Sequence, residues 1–285
     1  MAKEIAQTSI GELVSHNQRL AGNFFSPSLM VILDYPKISD EGLELDQPYS
    51  MRELRILRCT AGYVRGSINL MDKEIHAGMI AAVPEDTIIE IYEQSPDFCV
   101  QALGSAEVGD LAPDMKPVLI EIPETSVKQM DGFFELARML IAQEFVSERS
   151  VTLLIASMAE ELRQLDQETE AGPKNIRNTS RQHVIFNEFM ELLQLHGETE
   201  HHVGDYADRL CITPNHLSAI VKGESGRTVM WWIDRATIQH AKLLLRHTNL
   251  SMTEIADRLN LPGDSFFCRL FKRYTGITPL RYRKL

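Results

Sequence analysis

The C-terminal part of this chain carries one pattern twice, and its fold must accommodate both copies. Ala207-Asp208-Arg209-Leu210 returns as Ala256-Asp257-Arg258-Leu259, an offset of 49 positions from 207 to 256. Lys222, Ser225 and Gly226 line up with Lys272, Thr275 and Gly276, an offset of 50 from 222 to 272. The one-residue slip falls near Gly263, where a loop absorbs it. A repeat of this size with one interior insertion implies two copies of a single small supersecondary unit.

The second copy is the cleaner one. Ser251-Met252-Thr253-Glu254 has the form of a capping box: the serine side chain accepts from the third helical amide and Glu254 reaches back. Ile255, Ala256 and Leu259 then give an apolar stripe at helical spacing. Asn260-Leu261-Pro262-Gly263 stops that helix, because proline lacks an amide hydrogen and glycine tolerates the turn. Asp264 or Ser265 is placed to cap a second helix that runs through Phe266, Phe267, Leu270 and Phe271 and ends at Thr275-Gly276. Small Ala256 lets the two helices cross closely at a steep angle, which is the plan of a helix-turn-helix. In the outward positions stand Ser265, Cys268, Arg269, Lys272 and Arg273.

The first copy follows suit. Val203 to Leu210 forms the first helix, Cys211-Ile212 the turn, and Thr213-Pro214 supplies a cap and a proline at the first helical position. Leu217, Ile220 and Val221 point inward, and Asn215, His216, Ser218 and Lys222 outward. Val229 to His247 reads as a long amphipathic helix between the copies. A helix of about nineteen residues is about 28 Å long, which would hold two reading helices about 34 Å apart, one turn of duplex DNA. The expectation is a monomer that enters two successive major grooves.

These residues resemble the AraC/XylS family of bacterial transcription regulators over about Arg181 to Leu285. The most specific stretch runs from Ala241-Lys242-Leu243-Leu244 through Ser251-Met252-Thr253-Glu254-Ile255-Ala256 to Ser265-Phe266-Phe267-Cys268-Arg269-Leu270-Phe271-Lys272-Arg273-Tyr274-Thr275-Gly276-Ile277-Thr278-Pro279 and Tyr282-Arg283. The resemblance implies a seven-helix DNA-binding domain with one recognition helix per copy. Carried over by position, it places base-edge readers at Asn215, His216, Ser218 and Ala219 in the first copy and at Ser265, Phe266 and Arg269 in the second. Asn pairs bidentately with adenine and Arg with guanine; Phe266 either meets a thymine methyl or belongs to the core. Lys222, Arg227, Lys272 and Arg273 are read as phosphate contacts that set register. Many family members are basic where this chain has Ala219 and near Gly223-Glu224, so the second unit is expected to supply most of the grip.

A net charge of −11 looks wrong for a DNA binder until it is divided. From Thr179 onward 14 Lys and Arg face 11 Asp and Glu, a balance of +3, whereas the rest carries 15 against 29, a balance of −14. The electrostatic footprint therefore belongs to the C-terminal part alone. Hydrophobic content of 44% and charged content of 24% are ordinary for a globular protein, and 285 residues suit two domains. No apolar run approaches the roughly twenty residues of a membrane span, and no signal-peptide core follows Met1-Ala2-Lys3-Glu4, so a cytoplasmic protein is expected. Cys59, Cys99, Cys211 and Cys268 form no CxxC pair, which argues against a zinc site or a disulfide framework. His201-His202 read as surface residues at a helix start.

Between about Met30 and Gly104 the chain reads as short strands. Leu29 to Leu33 is an apolar run, Leu54 to Leu57 is β-rich, Tyr63 to Leu70 and Thr87 to Tyr92 alternate, Gly78 to Val83 precedes Pro84, and Phe98 to Leu103 follows the turn Ser95-Pro96-Asp97. This rhythm predicts a small barrel or jelly roll. With Gly62, Gly78 and Pro84 it resembles the cupin-like barrel that often precedes AraC-type domains. A metal-dependent cupin enzyme needs a cluster of histidine and carboxylate ligands, and His76 is the only histidine between His16 and His183, so no metal, cofactor or catalytic residue is expected.

Two amphipathic helices should follow, Val127 to Phe145 and Val151 to Leu165. Helices placed here resemble the family's dimer interface, for which Leu154, Met158, Leu162 and Leu165 are the candidates; the alternative is that they cover the barrel. The expected domains are an N-terminal arm and cupin-like barrel over 1–126, a helical dimerisation or cover segment over 127–166, a linker over 167–179 and an AraC-type DNA-binding domain over 180–285. The chain then reads as a dimeric transcription regulator whose partners are double-stranded DNA, a second copy and a small-molecule effector in the barrel, with RNA polymerase as a further protein it could contact. The competing reading keeps DNA binding and makes the N-terminal domain a plain dimerisation or protein-contact module.

Overall fold

The computed structural model describes residues 7–8, 18–20, 23–35, 45–109, 111–112, 115–171 and 180–284. The greater part of the expected N-terminal arm, and residues 172–179 of the expected linker, lie outside the described residues. The chain divides into two compact units, one spanning residues 7–171 and the other containing 172–285.

The first unit is built from β1 (Gln7–Thr8), β2 (Gln18–Leu20), β3 (Asn23–Phe25), β4 (Leu29–Tyr35), β5 (Pro48–Met51), β6 (Leu54–Ala61), β7 (Tyr63–Ile68), β8 (Met71–His76), β9 (Met79–Val83), β10 (Ile88–Gln94), β11 (Cys99–Ser105) and β12 (Val118–Glu121), then α1 (Val127–Ile141) and α2 (Glu148–Ala171). A five-stranded sheet has the order β1-β5-β10-β7-β8 and a seven-stranded sheet the order β12-β9-β6-β11-β4-β3-β2. Pairing is antiparallel apart from β1 with β5.

The apolar runs of β4 and β9 follow from the layering. A strand covered on both faces has no polar positions to alternate with. Leu29, Val31 and Leu33 of β4, with Ile80 and Ala82 of β9, pack under the helices against Met130, Phe134, Ile155 and Met158. The intervening residues point the other way: Met30 and Ile32 join Phe25 and Ala102, and Ala81 and Val83 meet Met51, Val64 and Ile91 of the opposite sheet. The edge strand β8 was not anticipated. Its sequence, Met-Asp-Lys-Glu-Ile-His, leaves most positions exposed, so burial marks it weakly. Gly62 sits at φ 65° between β6 and β7, where a Cβ would fall 2.2 Å from Ser95 Oγ and 2.7 Å from Phe98 N.

Two expectations about the helices change. α1 stops at Ile141, four residues short of Phe145. α2 runs on to Ala171, because the polar residues after Leu165 are mostly good helix formers and the true breakers, Gly172-Pro173, come later. Leu154, Met158 and Leu162 lie in the core of their own unit, the last two with no exposed surface, and Leu165 packs beside them. Leu154, Met158 and Leu162 pack toward the seven-stranded sheet and leave little or no surface for a second copy, whereas Leu165 is only partly buried. The outward apolar positions of the two helices are instead Leu136, Met139 and Leu153.

The second unit contains seven helices among the described residues: α3 (Arg181–His196), α4 (Val203–Arg209), α5 (Pro214–Ser225), α6 (Val229–His247), α7 (Met252–Arg258), α8 (Asp264–Thr275) and α9 (Pro279–Tyr282). The repeat is longer than it reads in sequence. Thr228 caps α6 by accepting from Trp231 N, and Thr278, fifty positions on, caps α9 by accepting from Arg281 N. Trp232 and Tyr282, also fifty apart, are both buried. Phe271 of α8 meets Tyr282 edge-on at 5.3 Å within the second copy, whereas Trp232 meets Phe186 of α3, outside the first copy, at 6.3 Å, so in both cases an aromatic from the helix that follows the copy is buried in a ring contact.

Candidate nucleic-acid interface

Each copy builds a short helix, a left-handed turn residue and a longer second helix. Cys211 at φ 54° and Asn260 at φ 50° occupy equivalent places. In the first copy Thr213 accepts from His216 N and Pro214 opens α5. In the second, the capping box is complete before α7, with Glu254 N on Ser251 Oγ at 3.2 Å and Ser251 N on Glu254 Oε2 at 2.7 Å. Those contacts hold the Glu254 carboxyl below its usual range. The cap expected for α8 from Asp264 or Ser265 is not made: Gly263 is the N-cap, at φ 135°, and Asp264 already lies in the first turn, where a carboxylate suits the helix dipole. Both second helices end on left-handed glycines, Gly226 at φ 69° and Gly276 at φ 77°.

The outer faces of α5 and α8 carry the candidate readers. Asn215, His216, Ser218 and Ala219 are exposed on α5, and Ser265 and Arg269 on α8. Phe266 is 40% exposed while Phe267 has no exposed surface, which assigns Phe266 to the outer face. Cys268, expected outside, is half-buried against the core, and burial raises its thiol pKa. The Ser218 hydroxyl donates to Pro214 O at 2.8 Å.

Among the candidate phosphate contacts, Lys272 is exposed on α8. Lys222 donates to Gly226 O at 2.6 Å at the end of α5. Arg227 lies over Trp231 at 4.8 Å, and Arg235 over the same ring at 5.2 Å; this stack had no signal in the repeat. Arg273 is paired with Asp234 of α6.

His201 is not the surface residue expected. Its Nε2 lies 2.6 Å from Leu259 O and its Nδ1 3.2 Å from Thr237 Oγ1 of α6. A carbonyl can only accept, so Nε2 carries the hydrogen. His202 is exposed and stands at the N-cap of α4.

In the first unit a cavity of about 90 Å³ lies between the two sheets, lined mainly by apolar residues including Met51, Leu57, Ile89 and Phe98, with Ser67 and Glu90 among the polar ones. Ser67 Oγ is buried and has no hydrogen-bond partner among the described residues. His76 ends β8 half-exposed, its Nε2 3.7 Å from Glu121. Among the described residues no group of three or more His, Cys, Asp or Glu side chains is placed to hold a metal ion, and no helix is long and apolar enough to cross a membrane.

Two helix-turn-helix units joined by one helix define a DNA-binding domain of the transcription-regulator class. Residues 206–285 match the helix-turn-helix domain family. The chain is 33% identical over 102 residues to the uncharacterised HTH-type transcriptional regulator YtdP of Bacillus subtilis, covering 36% of this chain and 12% of that one. It is 28% identical over 81 residues to the arabinose operon regulatory protein of Escherichia coli, covering 28% of each. Among solved structures, the C-terminal domain of AraT, a response regulator from Geobacillus stearothermophilus, aligns at 27% identity and a TM-score of 0.35, over 37% of this chain and 88% of that one. Residues 206–285 thus carry a helix-turn-helix domain of the AraC type, similar to those of these transcriptional regulators. The chain spans only a minor part of the curated relatives it matches.

Proposed function

We propose that the whole chain is a sequence-specific DNA-binding transcription regulator that acts in the cytoplasm and reads two successive major grooves with α5 and α8. The observation that carries this reading is that α5 and α8, two twelve-residue helices that start fifty positions apart, both expose their candidate readers, with the single nineteen-residue helix α6 between them in the chain. Asn215, His216, Ser218 and Ala219 would meet base edges in one groove and Ser265, Phe266 and Arg269 in the next, with Lys222, Arg227 and Lys272 on phosphates. Arg273, held by Asp234, contributes less. Selection of bound duplexes from a random pool by the purified protein tests this. Paired half-sites about one turn apart support it, and recovery of no preferred sequence overturns it.

The same reading makes the protein a homodimer under small-molecule control, able to contact RNA polymerase while bound to its site. The cavity between the sheets supports an effector, since it joins an apolar wall to one buried hydroxyl without a partner, Ser67 Oγ. Its chemistry suits a small and largely apolar molecule carrying one hydrogen-bonding group. A thermal-shift screen of the full chain with such compounds tests the assignment: hits abolished by Ser67→Val support it, and hits indifferent to that change place the ligand elsewhere. A dimer built on α1 and α2 has to use Leu136, Met139 and Leu153, the positions that remain outside. Light scattering of Met139→Glu checks this, with a shift to monomer expected.

A further inference from the structure

The loop between α3 and α4 makes polar contacts with both copies of the repeat. Arg209 and Arg258 occupy equivalent places in the two copies and reach neighbouring carboxylates of this one loop. Arg209 donates to Glu200 with Nη2 at 2.6 Å and Nε at 3.3 Å. Arg258 donates from Nε to Glu198 Oε1 at 3.0 Å. Between the two acids, the carbonyl of Thr199 accepts from Asn260 Nδ2 at 3.0 Å. His201 then bridges Thr237, in the middle of α6, and Leu259 O, at the end of α7, where a last-turn carbonyl lacks an intrahelical donor.

We infer that Glu198-Thr199-Glu200-His201 is a bracket that fixes the distance and angle between the two reading helices, with Glu198, His201 and Asn260 as positioning residues that touch no DNA. The two copies divide the work unequally. The left-handed turn residue of the first copy is an exposed cysteine, Cys211, whereas that of the second is Asn260, whose amide ties its copy to the loop. A single helix between two heads bends and twists; a second set of contacts on a different line removes that freedom. One inserted base pair moves a half-site by about 3.4 Å along the duplex and turns it by about 34°. A bracketed pair of heads rejects such a site, and a loosened pair follows it.

This inference rests on the two-groove reading above. The test uses the full-length protein and the duplex selected by the wild type, with the two half-sites at their selected spacing, with one base pair inserted between them, and with one half-site scrambled. The variants are Asn260→Gly, which keeps the left-handed backbone while removing the amide, and the double change His201→Ala with Asn260→Gly. For the variants, affinity at the selected spacing should fall by about tenfold as effective concentration is lost. The penalty for the inserted base pair should shrink by a similar factor, and binding to the single half-site should stay within about twofold of wild type. An unchanged insertion penalty in the folded Asn260→Gly protein overturns the bracket, as does an equal loss on all three duplexes. A wild type that selects no paired half-sites overturns the two-groove reading itself and the bracket with it.

Discussion

Arg273 and Asp234 form an ion pair, Nη2 to Oδ2 at 2.8 Å, that joins α8 of the second copy to α6 between the copies. The same carboxylate oxygen accepts from the Tyr274 hydroxyl at 2.8 Å. Burial, and then that contact with Asp234, push the Tyr274 pKa up to about 12. Asp234 is mostly buried while Arg273 remains largely exposed, so the guanidinium reaches solvent with part of its charge already answered.

A salt titration should separate Arg273 from its neighbour. Each phosphate contact contributes about 0.9 to the slope of log affinity against log salt on duplex DNA. Lys272→Ala should lower the slope by about that amount, and Arg273→Ala by clearly less. Equal reductions would show that Asp234 does not restrain Arg273 in the complex.

The two reading faces should differ in strength. Arg269 offers a charged fork and Asn215 a neutral one, and α5 has Ala219 where a basic side chain would add grip. Arg269→Ala should cost about 1–3 kcal/mol of binding and relax preference at a guanine. Asn215→Ala should cost less and relax preference at an adenine. A binding titration with both variants checks this, and an equal or greater loss from Asn215→Ala counts against unequal heads.

Met158 and Leu162 have no exposed surface in their own unit. Truncating either to alanine should destabilise the first unit by about 2–5 kcal/mol, independent of protein concentration. Met139→Ala on the outer face of α1 should change monomer stability by no more than about 0.5 kcal/mol. Denaturant melts at two protein concentrations distinguish core from interface. A strong concentration dependence of the Leu162→Ala effect would return that residue to a subunit contact.

His240 gives the second unit a pH dependence. Burial holds its imidazole below the ordinary value of 6.5, Glu198 acting upward and Arg258 downward, and its Nδ1 has no partner among the described residues. The unfolded chain takes up this proton near pH 6.5, whereas the folded chain resists it until lower pH. Unfolding therefore binds a proton in that window, and this contribution to stability is complete above pH 6.5 and declines as pH falls. The melting temperature should drop between pH 7 and pH 5, and His240→Met should flatten part of the drop. A variant whose profile parallels wild type would remove His240 as the source.

Much of the second unit was legible because its determinants are local. The Ser251 capping box, Pro214 at the start of α5, Gly226 and Gly276 past the ends of α5 and α8, and the span of α6 each depend on residues within a few positions of one another. The strands with alternating or wholly apolar patterns were legible for the same reason. β8 was missed because an edge strand with most positions in water carries little periodic signal, and the C-terminal end of α2 because polar helix formers resemble a linker in composition.

The sequence by itself determined that this chain holds two copies of a helix-turn-helix, the span of their helices to within a residue or two, and most of the residues of α5 and α8 that face away from the core; the start of α8, the half-burial of Cys268 and the exposure of Phe266 were not legible in it. Only the tertiary structure decided what those residues and their neighbours touch. It placed Met158 and Leu162 under the sheet, paired Arg273 with Asp234, and drew His201 and Asn260 into contacts across the repeat. The physical reason is range. A cap or an apolar stripe is written within one or two helical turns, whereas the partner of a side chain that lies 36 to 61 positions away depends on how whole elements pack.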